Sequence, residues 1–178
     1  MSPRKSKKTE KGIDAVKSNT KKLATLSVVV ATALILSFVE SRIPAFVSIP
    51  GIKVGLANIA VIFTLYKFGI RDAVCVSLVR VMLVSLLFGS VMSLWYSLAG
   101  AALSFLVMLA LKHLTPANTV SVSLAGGVAH NVGQILVACF VLETNVLVYY
   151  LPFLILSGVV AGIAVGLASA LLIKRIKI

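Results

Sequence analysis

The sequence predicts an all-α polytopic membrane protein, a compact bundle of about six transmembrane helices with both termini in the cytoplasm. Hydrophobic residues make up 60% and charged residues 12% of its 178 residues, whereas soluble domains contain about 45–50% apolar and about 25% charged residues. The mean hydropathy is +1.09. The apolar residues fall into runs that approach the roughly 20 residues that a helix needs to cross a bilayer. Together these observations exclude a soluble enzyme.

Six apolar segments are separated by glycine, proline and charged residues, which punctuate secondary structure. The second segment has only about 13 residues, and an alternative second helix would start near Val47 with a kink at Pro50. No small-residue cleavage site follows the first segment, so we expect a retained helix rather than a signal peptide. The predicted helices are approximately Leu23–Val39, Val54–Tyr66, Asp72–Phe88, Ser93–Leu111, Val120–Leu142 and Val148–Ile173.

The positive charge is concentrated in the first 22 residues, which hold eight of the 17 lysines and arginines. This segment is polar and lacks periodicity, which is typical of disorder. We therefore expect a basic disordered cytoplasmic tail over residues 1–22 and a six-helix transmembrane domain over residues 23–178. The tail would contact anionic lipid at the inner surface. No aromatic residue interleaves its lysines, so we expect no nucleic-acid partner.

Cationic residues also predict the orientation, because cytoplasmic loops carry an excess of lysine and arginine. With the tail inside, only Arg42 and Lys53 face outward. Aromatic residues that favour the interface fall near the outer helix ends, at Trp95, Tyr96, Tyr149 and Tyr150. The expected location is a bacterial plasma membrane with multiple spans. The other cationic residues of the bundle would all be inside: Lys67, Arg71, Lys112, Lys174, Arg175 and Lys177.

Polar residues on three predicted helices share one depth in the membrane. Arg80 lies about 12 Å along helix 3 from its cytoplasmic end, and Asn58 and His130 lie about 14–15 Å along helices 2 and 5. Asn131 follows His130, and Gln134 lies one helical turn further on the same face as His130. An ionisable residue at this depth usually faces a cavity or a protein interior. The cluster is either a substrate site or a set of hydrogen bonds between helices.

Arg80 favours the substrate site, because a guanidinium is always charged and the five acidic residues lie in the tail or near helix ends. Backbone carbonyls or a distant acid are alternative partners, but an anionic solute would balance the charge directly. Asn58, Asn131 and Gln134 would orient that solute, and His130 would either pack as a neutral side chain or sense pH.

The short second helix indicates a mouth on the outer side. The N-terminus of a short helix at a binding site attracts anions. Arg42, Lys53 and Gly55 surround this N-terminus in the sequence, so we expect them to form an outer mouth or gate.

Small residues recur every four positions in helix 6, at Gly158, Gly162 and Gly166. They predict close packing of another helix, within this chain or in another copy, because small side chains let backbones approach. The oligomeric state stays open. Cys75 and Cys139 lack further ligands at metal spacing and are expected to be packing residues.

Catalytic motifs are absent from the sequence. It contains no nucleotide-binding glycine-rich loop and no zinc motif. It also has too few acidic residues to hold Mg²⁺ on a diphosphate. We therefore expect no catalytic residues, no metal, no cofactor and no enzymatic activity of its own.

Four segments together resemble the Gx transporter family, which is also labelled heptaprenyl diphosphate synthase component I. The resemblance extends over about residues 23–175. It rests on the stretch Pro50–Asn58, on Arg80 with Leu87–Ser90, on Ala129–Gln134 and on Tyr149–Pro152.

The resemblance implies two different functions. The family is similar to S components of energy-coupling-factor importers, which bind a vitamin-like solute and depend on a separate transmembrane subunit and ATPases. The synthase label implies instead a small non-catalytic partner of a polyprenyl diphosphate synthase in menaquinone supply. The family also resembles a membrane component of quinone- and flavin-linked electron transfer. We expect uptake of a small anionic or vitamin-like solute as the leading function.

Overall fold

The computed structural model describes residues 3–42, 55–144 and 146–176, with side chains described for 16–40, 55–144 and 146–176. Within these residues the chain is helical throughout and contains no strand. The elements are α1 (Pro3–Arg42), α2 (Asn58–Lys67), α3 (Ile70–Phe88), α4 (Val91–Leu114), α5 (Thr119–Val141), a 3₁₀ turn (Val146–Tyr150) and α6 (Leu151–Arg175).

Four of the described helical segments are long and apolar enough to cross a membrane: Val16–Glu40, Val91–Leu114, Thr119–Val141 and Val146–Arg175. The other two helices differ from these for separate reasons. Helix α2 has only 10 residues, and α3 carries Arg71, Asp72 and Arg80 within its 19 residues. The all-helical prediction is confirmed, and a membrane protein is consistent with these spans. Six crossings and two cytoplasmic termini remain predictions.

Helix α2 forms the centre of the core although it is the shortest α-helix described. Its residues Ala60 to Leu65 are all buried. Val61, Ile62 and Leu65 pack with Ala73 of α3, Met108 of α4, Val122 of α5 and Val165 of α6. At 1.5 Å per residue α2 is about 15 Å long, roughly half the thickness of a hydrocarbon core. It therefore fills one half of the bundle and leaves space beyond its N-terminus in the other half.

The glycines of α6 pack against α5 of the same chain. A Cβ atom added to Gly162 would lie 2.5 Å from the Cα atom of Leu124, and one added to Gly166 would lie 2.8 Å from that of Val120. Gly158 faces Gly127 with similar closeness. The strip is thus an internal contact in this structure, which answers the question that the sequence left open.

The end of the bundle that holds the C-terminus of α2 carries several cations, and we call it the basic end (Lys22, Arg71, Lys112 and His113). The Nζ atom of Lys112 donates a hydrogen bond of 2.7 Å to the carbonyl oxygen of Leu65 and lies 4.6 Å from the ring centre of Tyr66. Lysine there satisfies one of the carbonyl groups that a helix C-terminus leaves unpaired. A 2.7 Å ion pair between Lys22 and Asp72 links α1 to the start of α3.

Three predicted boundaries are wrong for identifiable reasons. Helix α2 starts at Asn58 rather than Val54, because Gly55 has a φ of +75° and its carbonyl oxygen accepts a turn hydrogen bond from the Asn58 N–H. Helix α6 starts at Leu151 rather than Val148. Pro152 has no N–H group to donate, so it fits the first turn of the helix.

The third correction concerns the start of α1, which lies at Pro3 rather than Leu23, because the backbone of the basic segment is helical and continuous with the apolar helix. Lysine and glutamate are good helix formers, and the preformed apolar helix lets the tail extend it without a new nucleus. The division into a tail and a membrane domain remains a prediction.

Candidate functional site

A polar cavity of about 150 Å³ lies beyond the N-terminus of α2, in the half of the bundle that α2 does not fill. Its walls are the ends of α1 and α3, the starts of α2 and α4, and the middle of α5. We call it the polar cavity. Its lining comprises Ser37, Glu40, Gly55, Ala57, Asn58, Arg80, Val81, Val84, Ser85, Phe88, Gly89, Ser93, Ser97 and His130.

Three residues predicted from the sequence meet in the polar cavity. Arg80, Asn58 and His130 come from α3, α2 and α5, and all three line it. Residues from three different helices therefore border one space. Arg80 is partly buried, and the cavity gives its guanidinium a polar environment between apolar helices.

Glu40 also lines this cavity and interacts electrostatically with Arg80. Glu40 is therefore the kind of distant acid that the sequence left open as an alternative to an anionic ligand. Glu40 is the last residue of the apolar span of α1, and the sequence placed it at a helix end, outside the cluster. The fold brings that end over α2 and towards α3.

Glu40 also accepts a hydrogen bond from the backbone N–H of Gly55 through Oε1. The N-terminal segment of α2 was predicted to attract an anion, and the chain supplies one itself. Helix α2 has no side-chain cap at Ala57, so the carboxylate of Glu40 complements the positive end of the short helix. The carboxylate of Glu40 therefore interacts with both Arg80 and the N-terminus of α2, which are the two features that favoured an anionic ligand.

A second, apolar cavity of about 360 Å³ adjoins the first and shares Ser93 and Ser97 with it. We call it the apolar cavity. It lies between the start of α4, the end of α5 and the start of α6. Its lining comprises Ser90, Met92, Ser93, Tyr96, Ser97, Asn131, Gln134, Ile135, Ala138, Leu142, Leu147, Tyr150 and Leu154.

Asn131 and Gln134 line the apolar cavity and not the polar one. Asn131 is buried and donates a 2.7 Å hydrogen bond from Nδ2 to the carbonyl oxygen of Leu154. Its amide therefore joins α5 to α6, although its partner is a backbone carbonyl and not another polar residue of the predicted cluster. Gln134 and His130 both lie against Gly100 of α4, although they line different cavities.

The predicted gate is only partly described. Gly55 lines the polar cavity, whereas Lys53 and the side chain of Arg42 lie outside the described residues. The sequence analysis missed Glu40 and the serines Ser37, Ser85, Ser93 and Ser97. Ser37 and Glu40 are three residues apart and share a face of α1, which is the signal that could have identified them.

Serines also define the rim where the two cavities meet. The Ser90 hydroxyl accepts a 3.2 Å hydrogen bond from the Ser93 N–H, and the Ser93 hydroxyl accepts one of 2.9 Å from the Ser90 N–H. This reciprocal cap fixes the start of α4. Ser97 lies one turn further along α4, where it lines both cavities.

The described residues contain no group of three or more histidine, cysteine, aspartate or glutamate side chains that could hold a metal ion. The cavities are thus lined by hydrogen-bonding and apolar groups.

Residues 29–172 match the family described as heptaprenyl diphosphate synthase component I. The match covers roughly four-fifths of the chain and includes every described residue of both cavities. The chain belongs to this family. No curated protein and no solved structure matches it.

Proposed function

We propose that this member of the heptaprenyl diphosphate synthase component I family is a membrane protein that binds a small solute from outside the cell, in the manner of an S component. The observation that carries the proposal is the polar cavity in an otherwise apolar bundle. Polar side chains at membrane depth are costly and are usually tied to a substrate or ion path. Uptake would require a separate energising subunit with ATPases.

The position of the cavity supports entry from the outer side. Its walls include the helix ends opposite the basic end, at Glu40, Gly55 and Gly89. The basic end carries Lys22, Arg71, Lys112 and His113 around a surface cleft. Because positive residues favour the cytoplasmic side, the polar cavity would face outward.

A second candidate is a non-catalytic membrane partner of a prenyl diphosphate synthase, which the family description favours. The basic end would then hold the soluble catalytic subunit. Arg71 and His113 are exposed there, so the charge reversal Arg71→Glu should weaken capture of a co-expressed synthase subunit and leave the polar cavity intact.

Solute content distinguishes these functions. Wild-type protein would be extracted with its native lipid into nanodiscs, and its small molecules identified by mass spectrometry beside Arg80→Leu and Asn58→Leu. We expect a solute that is abundant in wild type and at least about tenfold lower in both variants, because each loses a polar group that lines the cavity.

Arg71→Leu is the matched control, since it removes an exposed arginine from the same helix and should keep the solute. If folded Arg80→Leu and Asn58→Leu proteins retain the wild-type amount, the cavity is not the binding site. A synthase subunit captured by wild type and by Arg80→Leu, with no solute in either, would favour the second candidate.

A further inference from the structure

We infer that the solute is an amphipathic molecule without net charge and distinct from the phospholipids of the bilayer, with a compact polar head in the polar cavity and an apolar ring or chain in the apolar cavity. This inference rests on the proposed function and adds to it the chemical class of the solute. It also replaces the anionic solute that the sequence alone favoured.

The charge follows from the pair that faces the polar cavity. Glu40 and Arg80 are the acidic and basic residues of the described lining, and their opposite charges interact. A solute with one net charge would leave an unbalanced charge in a site between apolar helices, where an uncompensated charge is costly. A zwitterionic or uncharged polar head keeps the balance, and the amide of Asn58 and the surrounding serine hydroxyls offer it hydrogen bonds.

The apolar part follows from the volumes and the lining. The polar cavity, at about 150 Å³, is smaller than the roughly 300–1,000 Å³ typical of small-molecule sites. The adjoining apolar cavity, at about 360 Å³, falls within that range. Its lining includes six apolar side chains without rings and the rings of Tyr96 and Tyr150, and the Nδ2 atom of Asn131 there donates a hydrogen bond to Leu154.

The two cavities meet at lining residues that they share, so one solute would occupy both. Ser93 and Ser97 line both, and their small side chains leave room for one molecule to extend past α4. An apolar group in the second cavity would then be linked to a head in the first. A membrane lipid chain is the competing occupant of the apolar cavity.

The test narrows the junction between the cavities in one variant and fills the apolar cavity in another. Ser97→Leu narrows the junction, and Ala138→Trp fills only the apolar cavity. Controls with exposed residues are Ser27→Leu on α1 and Ala164→Trp on α6. Should Ala138→Trp fail to fold, as judged by gel filtration and circular dichroism, Leu142→Trp fills the same cavity from the end of α5.

Small molecules extracted from each nanodisc sample would be identified by mass spectrometry. We expect one net-neutral molecule with a polar and an apolar part, at least about tenfold depleted in Ser97→Leu and Ala138→Trp but not in the controls. A solute that carries a net charge, or one that Ala138→Trp and Leu142→Trp retain in full, would overturn this inference and leave the proposed function standing.

If membrane phospholipid is the one molecule that is depleted in the filled variants relative to wild type, the apolar cavity is a lipid-binding site and this inference is wrong. If, in addition, Arg80→Leu and Asn58→Leu change nothing, the proposed function fails as well.

Discussion

Replacing Arg80 with methionine should lower the free energy of unfolding by about 1–3 kcal/mol, the cost typical of leaving a partly buried polar group without its partner. Methionine keeps much of the length of the side chain and removes the charge. Glu40 would then face the polar cavity without the guanidinium that balances it. Glu40→Gln should also destabilise the protein, because it leaves Arg80 unbalanced and weakens the bond to the Gly55 N–H.

The double variant Glu40→Gln with Arg80→Met distinguishes a coupled pair from two independent residues. Removing both charges avoids the unbalanced one, so the double variant should be more stable than the sum of the two single losses predicts. Unfolding in mixed micelles, followed by circular dichroism, gives the three free energies. Arg71→Met, at an exposed arginine of α3, should change stability by less than about 0.5 kcal/mol. Strictly additive losses would show that Glu40 and Arg80 are not energetically paired.

Gly162→Ala should destabilise the bundle by about 1–3 kcal/mol, the range for overpacking a filled interior. The direction of this change in stability is informative, because alanine normally stabilises a helix interior by about 1 kcal/mol relative to glycine. Here the new Cβ would meet the backbone of Leu124 at 2.5 Å, so α5 and α6 must separate. Gly162→Leu should cost more, since the larger side chain has no space between the helices.

Ala164 provides the control for this contact between α5 and α6, because it lies on the exposed side of α6. Ala164→Leu should leave the unfolding free energy within about 0.5 kcal/mol of wild type. The same mixed-micelle unfolding measurement applies. A Gly162→Ala protein as stable as wild type would mean that α5 and α6 do not pack through this glycine.

Much of the fold could be predicted from the sequence because apolar runs, glycines and charges punctuate it clearly. Helices α3, α4 and α5 begin and end within three residues of their predicted bounds. The meeting of Asn58, Arg80 and His130 at one cavity was also predictable, since the rise per residue of a helix is fixed and gives each a similar distance from its helix end.

The partner of Arg80 could not be predicted in the same way. Distance along a helix gives depth but not the gap between helices into which a side chain points. Glu40 was treated as a residue of a helix end, and only the packing of α1 beside α2 and α3 shows that this end borders the polar cavity. Gln134 illustrates the converse, because it shares a helical face with His130 but lines the other cavity.

Cysteine accessibility tests most directly whether the cavity that contains Arg80 opens to the outer side. Ser97→Cys would be introduced into a chain in which Cys75 and Cys139 are alanine, with Ala164→Cys on the exposed face of α6 as control. Intact cells would be treated with a membrane-impermeant maleimide, and labelling compared before and after permeabilisation. We expect Ser97→Cys to react in intact cells and Ala164→Cys, which faces lipid, not to react. Labelling of Ser97→Cys only after permeabilisation, or not at all, would contradict an outward-opening site.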